Sequence, residues 1–155
     1  MISGRLRSRV HLGLRAVADP RYLIDTSVLA RADIDAVGER LEALALAGKF
    51  WTCRMVDLEV VCSSRGHDVG DTIDERRALP EAPITPAVLD RALSISGLLA
   101  ANGQHRGAKP ADLIIAAAAE AQDLVVLHYD DDYDRIAGIT RQPTEWIATR
   151  GTLPH

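Results

Sequence analysis

The chain predicts an α/β fold with a mainly parallel sheet. Two observations carry this. Short apolar runs with strand character alternate with longer segments of helical periodicity, the order in which parallel strands and crossover helices are laid down. One run, Leu124-Val125-Val126-Leu127, is apolar at every position, as a strand covered on both faces requires.

The elements follow in order. Residues 21–24 form a short apolar strand that ends at Asp25. Residues 35–49 carry Val37, Leu41, Leu44 and Ala45 at helical spacing and stop at Gly48. Residues 50–52 are a short strand. Residues 55–64 read as helix, and 69–79 as a more polar one. Residues 80–84 are extended between prolines. Residues 86–101 make a long helix with Pro86 in its first turn and Asn102-Gly103 at its end. Residues 110–122 are a second helix opened by a proline, 124–128 the apolar strand, 130–137 a polar turn or short helix, and 144–148 a last strand.

The segment before this pattern reads differently. Within residues 1–20, Arg5, Arg7, Arg9 and Arg15 interrupt every apolar run, so no secretory signal is present. The expectation is a basic leader, flexible or upstream of the true start, followed by one domain over 21–155. A chain of 155 residues, 47% hydrophobic and 26% charged, is long enough for a core and is not disordered as a whole. No stretch of about 18 apolar residues occurs, which excludes an ordinary transmembrane helix. Cys53 and Cys62 form neither a CxxC pair nor a disulfide framework, so a reducing cytoplasm is expected. The net charge is −4, with 16 Arg and 2 Lys, and residues 1–21 alone carry +4. This is not the strongly basic balance of a nonspecific nucleic-acid binder. A chain so acidic that handles a polyanion needs local neutralisation, which a divalent metal provides.

The acids lie where such a metal would be held. Asp25 follows the first strand and opens Asp25-Thr26-Ser27, which also reads as a helix cap. On a helical wheel, Met55, Val56, Leu58, Val60 and Cys62 form an apolar arc, Glu59 projects inside it, and Asp57 points away as a solvated acid. An inward Glu59 needs a buried arginine or a metal. Asp112 lies in the first turn of the helix opened by Pro110, either as a helix-dipole acid or facing a space left by Ala116 and Ala119. Asp130 and Asp132 follow the apolar strand, whereas Asp131 and Asp134 read as a solvated acidic turn. Carboxylates converging at strand ends repel one another without a counter-charge, and hard oxygen ligands suit Mg²⁺ or Mn²⁺. His128 reads as a hydrogen-bonding residue at the sheet end, His67 and His105 as loop residues, Cys62 as core, and Trp51 and Trp146 as packing. Arg31, Arg54, Arg106 and Lys109 flank the acids and suit RNA phosphates or plain solvated surface.

These residues resemble those of the PIN-domain ribonucleases, specifically VapC-type toxins of bacterial type II toxin–antitoxin pairs. The resemblance rests on Tyr22-Leu-Ile-Asp25-Thr-Ser-Val-Leu29, Asp57-Leu-Glu59-Val-Val61, Lys109-Pro-Ala-Asp112-Leu-Ile-Ile-Ala-Ala117 and Val126-Leu-His-Tyr-Asp130-Asp-Asp132-Tyr-Asp-Arg-Ile-Ala137. It implies a three-layer α/β/α sandwich and a Mg²⁺- or Mn²⁺-dependent endoribonuclease. Water is then the nucleophile, and the products carry 5′-phosphate and 3′-hydroxyl ends. It further implies a homodimer and a VapB-type antitoxin partner. The metal-site and catalytic acids it implies are Asp25, Glu59, Asp112 and Asp130, with Asp132 a further metal ligand and Ser27 a supporting hydroxyl. The leader departs from the family's pattern. Other readings are a non-catalytic α/β binding module and an RNA-processing nuclease outside any toxin–antitoxin pair. A phosphatase with a second Asp two residues after the first is disfavoured, because Ser27 stands there. A dinucleotide fold lacks its GxGxxG.

Overall fold

The computed structural model describes residues 19–104 and 106–155. Residues 1–18, most of the expected leader, and His105 lie outside the described residues. Four strands form one sheet: β1 (Tyr22–Ile24), β2 (Phe50–Trp51), β3 (Val125–His128) and β4 (Thr144–Trp146). Their spatial order is β2-β1-β3-β4 and every pairing is parallel. The chain therefore leaves β1 toward one edge, then returns to lay β3 on the other side. That reversal makes the carboxyl ends of β1 and β3 the topological switch point, where ligands of open α/β sheets sit. The backbone N–H of Asp25 donates to the Leu127 carbonyl at 2.9 Å, so the two strand ends are locked side by side.

Alternation along the strands divides the core in two. Leu23, Leu124 and Val126 pack against α3 (Arg54–Ser63), α5 (Pro86–Ala101), α6 (Pro110–Ala121) and α7 (Asp132–Thr140). Tyr22, Ile24, Val125 and Leu127 pack against α1 (Thr26–Leu29) and α2 (Asp35–Leu46) through Val28, Val37 and Leu41. The molecule is thus a three-layer α/β/α sandwich with a parallel sheet. β3 is buried at all four positions, which is why its sequence shows no alternation.

Local chemistry fixes the element ends. The Thr85 hydroxyl accepts from the Val88 N–H at 3.2 Å and Pro86 occupies the first turn of α5. Gly103, with φ of 72°, follows that helix in the left-handed conformation glycine adopts without penalty. The extended segment after residue 79 joins the sheet through an isolated parallel bridge from Glu81 to Thr52. The acidic stretch expected as a turn or short helix becomes α7, nine residues long. No described helix is long and apolar enough to cross a membrane.

Helix α3 corrects the wheel. Leu58 is 60% exposed and Cys62 is exposed, so neither belongs to the core. Asp57 is not solvated: it is 6% exposed and accepts from Arg76 Nε at 2.8 Å, Arg54 Nη1 at 2.6 Å and the Thr52 hydroxyl at 2.8 Å. The buried arginine considered for Glu59 is real, but Asp57 takes it. Arg76 comes from α4 (Val69–Arg77), so this pair stitches α3 to α4. Asp131, expected in solvent, is half-buried and paired with Arg150.

Candidate active site

Asp25 caps α1 immediately after β1. Its Oδ2 accepts from the Ser27 N–H at 3.0 Å and the Ser27 hydroxyl at 2.6 Å, so the capping role holds. Its Oδ1 accepts from the Tyr133 hydroxyl at 2.6 Å. Ser27 Oγ in turn accepts from the Tyr129 N–H at 2.9 Å, tying the end of β1 to the end of β3. One residue along from Asp25, the Thr26 hydroxyl donates to Glu59 Oε2. Glu59 is half-buried and is tied by that bond to the residue after Asp25.

Three further acids meet. Asp112, Asp130 and Asp132 each offer a carboxylate oxygen within 4.8 Å of the others. Asp112 is the third residue of α6; its Oδ2 accepts from the Lys109 N–H at 3.3 Å, and it is 6% exposed. Asp130 is held by its own turn, its Oδ1 accepting from the Asp132 N–H at 3.0 Å. Asp132 opens α7 and takes Arg135 Nη1 at 2.7 Å. Burial, then the Asp132 carboxyl, then the charges of Asp25 and Asp130 push the Asp112 carboxyl up to about 8. The cluster therefore carries a proton at neutral pH when no cation is bound. Lys109 Nζ lies 3.6 Å from Asp130 Oδ2, and the neighbouring acids, Asp112 first, strengthen its hold on its proton.

The remaining sequence candidates divide. Arg31 donates to the Ser27 carbonyl at 2.7 Å and covers the Tyr129 ring, so it lies beside the acids. Arg54 is taken up by Asp57 and by Glu81 at 2.7 Å. Arg106 is exposed. His128 is fully buried, its Nδ1 accepting from the Asp130 N–H at 3.2 Å; burial pushes its pKa down and keeps it neutral. Its Nε2 finds no hydrogen-bond partner among the described residues. Sequence reasoning gave Tyr133 no role. Nothing local distinguishes a tyrosine in an acidic stretch, and its partner lies 108 residues away. Another buried acid, Glu145, also went unread; it is held by Arg40 and by the Tyr22 hydroxyl at 2.9 Å.

Comparison with known proteins shows the family. The PIN domain family model matches residues 22–139. Ribonuclease VapC21 of Mycobacterium tuberculosis H37Rv is 43% identical over 134 residues, covering 85% of this chain and 97% of the relative. Ribonuclease VapC51 of the same strain is 44% identical over 134 residues, covering 86% and 97%. Among solved structures, DNA-bound VapBC from Salmonella typhimurium superposes with a TM-score of 0.68 at 17% identity, over 84% of this chain and 100% of the other. VapBC2 from Rickettsia felis, bound to a promoter DNA fragment, gives 0.65 at 19% identity, over 81% and 97%. At such identities the structural likeness speaks to the fold, and the sequence relatives carry the rest. On the family match over most of the chain, and on relatives above 40% identity along nearly their whole length, the chain belongs to the PIN-domain family, among the VapC ribonucleases.

Proposed function

We propose that the chain is a Mg²⁺- or Mn²⁺-dependent endoribonuclease, the toxin of a type II pair, held inactive by a VapB-type antitoxin. The observation that carries this is the meeting of Asp112, Asp130 and Asp132 at the switch point of the sheet, next to Asp25. The relatives named as ribonucleases support the RNA-cleaving activity. The solved VapBC assemblies make an antitoxin the natural partner to look for.

The donor set fits a hard divalent cation, since all its ligand atoms are carboxylate oxygens. Burial first, and the neighbouring Asp132, Asp25 and Asp130 after it, raise the Asp112 carboxyl, and a bound cation offsets both effects. When bound, such an ion neutralises phosphate charge and lowers the pKa of a water it holds. The chain's own residues do the remaining work. Asp112, Asp130 and Asp132 hold the ion, and Asp25 and Glu59 complete the acidic wall. Ser27 and Tyr133 fix both oxygens of Asp25, so that carboxylate is oriented before substrate arrives. Lys109 and Arg31 bring positive charge to the rim for RNA phosphates, and the exposed Arg106 is a further candidate. The bonds of Arg54 to two acids favour a structural role for it.

A homodimer and a cytoplasmic site of action complete the proposal. Leu89 and Leu93 lie one turn apart on α5 and are exposed, which supports an apolar face for a second copy.

Incubating labelled RNA with the protein in Mn²⁺, with and without EDTA, tests the enzyme. Cleavage that survives exhaustive chelation removes the metal mechanism. Expression alone should arrest bacterial growth, and co-expression of the cognate antitoxin should restore it. A harmless active nuclease points to RNA processing instead.

A further inference from the structure

A cavity of about 380 Å³ opens beside the acidic cluster. It falls within the ~300–1,000 Å³ typical of small-ligand sites. Asp130 forms part of its wall, with Arg31, Tyr129, Trp146, Arg150 and Leu153. Among the described residues that line it, Leu153 is the one aliphatic side chain. The aromatic rings stand edge to face, their centroids 5.3 Å apart at 80°. The Arg31 guanidinium lies 4.5 Å from the Tyr129 centroid. Its polar contacts are the carbonyls of Ser27 at 2.7 Å and Pro154 at 3.0 Å, neither of them a carboxylate.

The walls are braced. Trp146 Nε1 donates to Asp134 Oδ1 at 3.0 Å. The Tyr129 hydroxyl accepts from the Leu153 N–H at 2.8 Å. Arg31 bridges α1 to the segment after β4. A site so tied down loses little freedom when it is filled.

We propose that this cavity is a subsite for one nucleotide of the RNA strand, the one next to the scissile phosphate. Its base rests against Trp146 and Tyr129, and its phosphate meets Arg31. The proposal rests on the nuclease reading above. Aromatic faces interleaved with arginine are what proteins use to hold unpaired bases. A groove for an amphipathic helix would instead present a broad apolar surface. Position adds the rest: because Asp130 belongs to both the cluster and the cavity, an occupant is a direct neighbour of the reacting phosphate. Trp146 therefore serves twice, packing on His128 at 5.0 Å between centroids and facing the cavity.

The test uses the full chain and a single-stranded RNA that it cuts at one mapped bond. Each position around the cut is made abasic in turn, and kcat and KM are measured in Mn²⁺. In the wild type, one flanking position should raise KM about tenfold or more when its base is removed, the scale of one base–aromatic stack. In Trp146→Leu the same abasic change should matter no more than about twofold, the stack being already lost, and Trp146→Phe should restore the sensitivity. Arg31→Ala should raise KM at every RNA regardless of that base. If Trp146→Leu does not fold, wild type decides. With Ca²⁺ replacing Mn²⁺, 2-aminopurine at the sensitive position should be quenched on binding, and an unquenched base overturns the subsite. Cleavage with a flat abasic scan overturns the subsite but not the nuclease; a flat scan in which Trp146→Leu loses a co-expressed protein partner assigns the cavity to that protein. A chain that neither binds nor cuts RNA overturns both.

Discussion

Tyr133 delivers its hydroxyl to Asp25 from the first turn of α7, wholly buried. A carboxylate at a metal site needs a fixed direction, and this bond supplies it from the side opposite Ser27. Tyr133→Phe removes one oxygen and no volume. It should lower stability by about 1–3 kcal/mol, the cost of an unpaired buried acceptor, and slow cleavage roughly 10- to 100-fold, as loss of a supporting residue does. Equal melting curves and equal rates would remove the positioning role. Asp112→Asn acts at the cluster itself. It keeps the shape and removes the titrating carboxyl from a site where burial first, then Asp132, Asp25 and Asp130, favour its protonated form. Cleavage should fall by more than the ~100-fold expected for a supporting residue. Metal-free melting should stay level or rise, because folding no longer has to bury a carboxyl that must take up a proton. As a mere helix-dipole acid, Asp112 would do the reverse: its loss would cost up to about 1 kcal/mol and leave cleavage untouched.

At the scale of elements, α3 carries two acids with opposite fates. Asp57 is locked to Arg76 and Thr52, while Glu59 meets Thr26 on the next element over. Asp57→Ala should destabilise the fold by about 3–5 kcal/mol, because it leaves Arg76 buried and unpaired. The Mn²⁺-induced rise in melting temperature should survive it. Leu58→Ser, on the exposed side, should change stability by no more than about 0.5 kcal/mol. An equal cost at both positions would sink this assignment of faces. The wheel misplaced Asp57 because a ten-residue helix apolar on most sides gives little direction. The pairing that decides its orientation is with a residue 19 positions away. The strands and the proline-opened helices were legible for the opposite reason: their signals are local, in the apolar run of β3, in Thr85-Pro86 and in Gly103. Of the acids, Asp112, Asp130 and Asp132 do converge. Asp25 was placed correctly at a strand end, but its Tyr133 bond is long-range and left no mark in the sequence.

The whole molecule carries the electrostatic consequence of that convergence. Strand order brings the ends of β1 and β3 together and α6 and α7 bring their first turns to the same place. Folding thereby gathers acids that the unfolded chain keeps apart. Burial first, then these neighbouring acids, push the Asp112 carboxyl up to about 8 against an ordinary 3.8. Between those values the folded state binds the proton more tightly than the unfolded one does. The resulting stability is fully present below about pH 4 and is lost as pH rises to about 8. One proton sets the slope at no more than about 1.4 kcal/mol per pH unit. Metal-free melting should therefore fall across this window, and Asp112→Asn should remove that component of the fall. A cation takes the proton's place, so its binding releases the proton and strengthens with pH. At fixed free Mn²⁺ the rise in melting temperature should be small near pH 5, grow toward pH 8 and level off above it, following mass action. Melting curves with Mn²⁺ and with EDTA, recorded in parallel across that range, check this directly. The two should diverge as pH rises in wild type and stay nearly parallel in Asp112→Asn. Parallel wild-type curves, or divergence undiminished in the variant, would mean that Asp112 neither holds the proton nor yields it to the metal, and the site would have to be built on Asp25 and Glu59 instead.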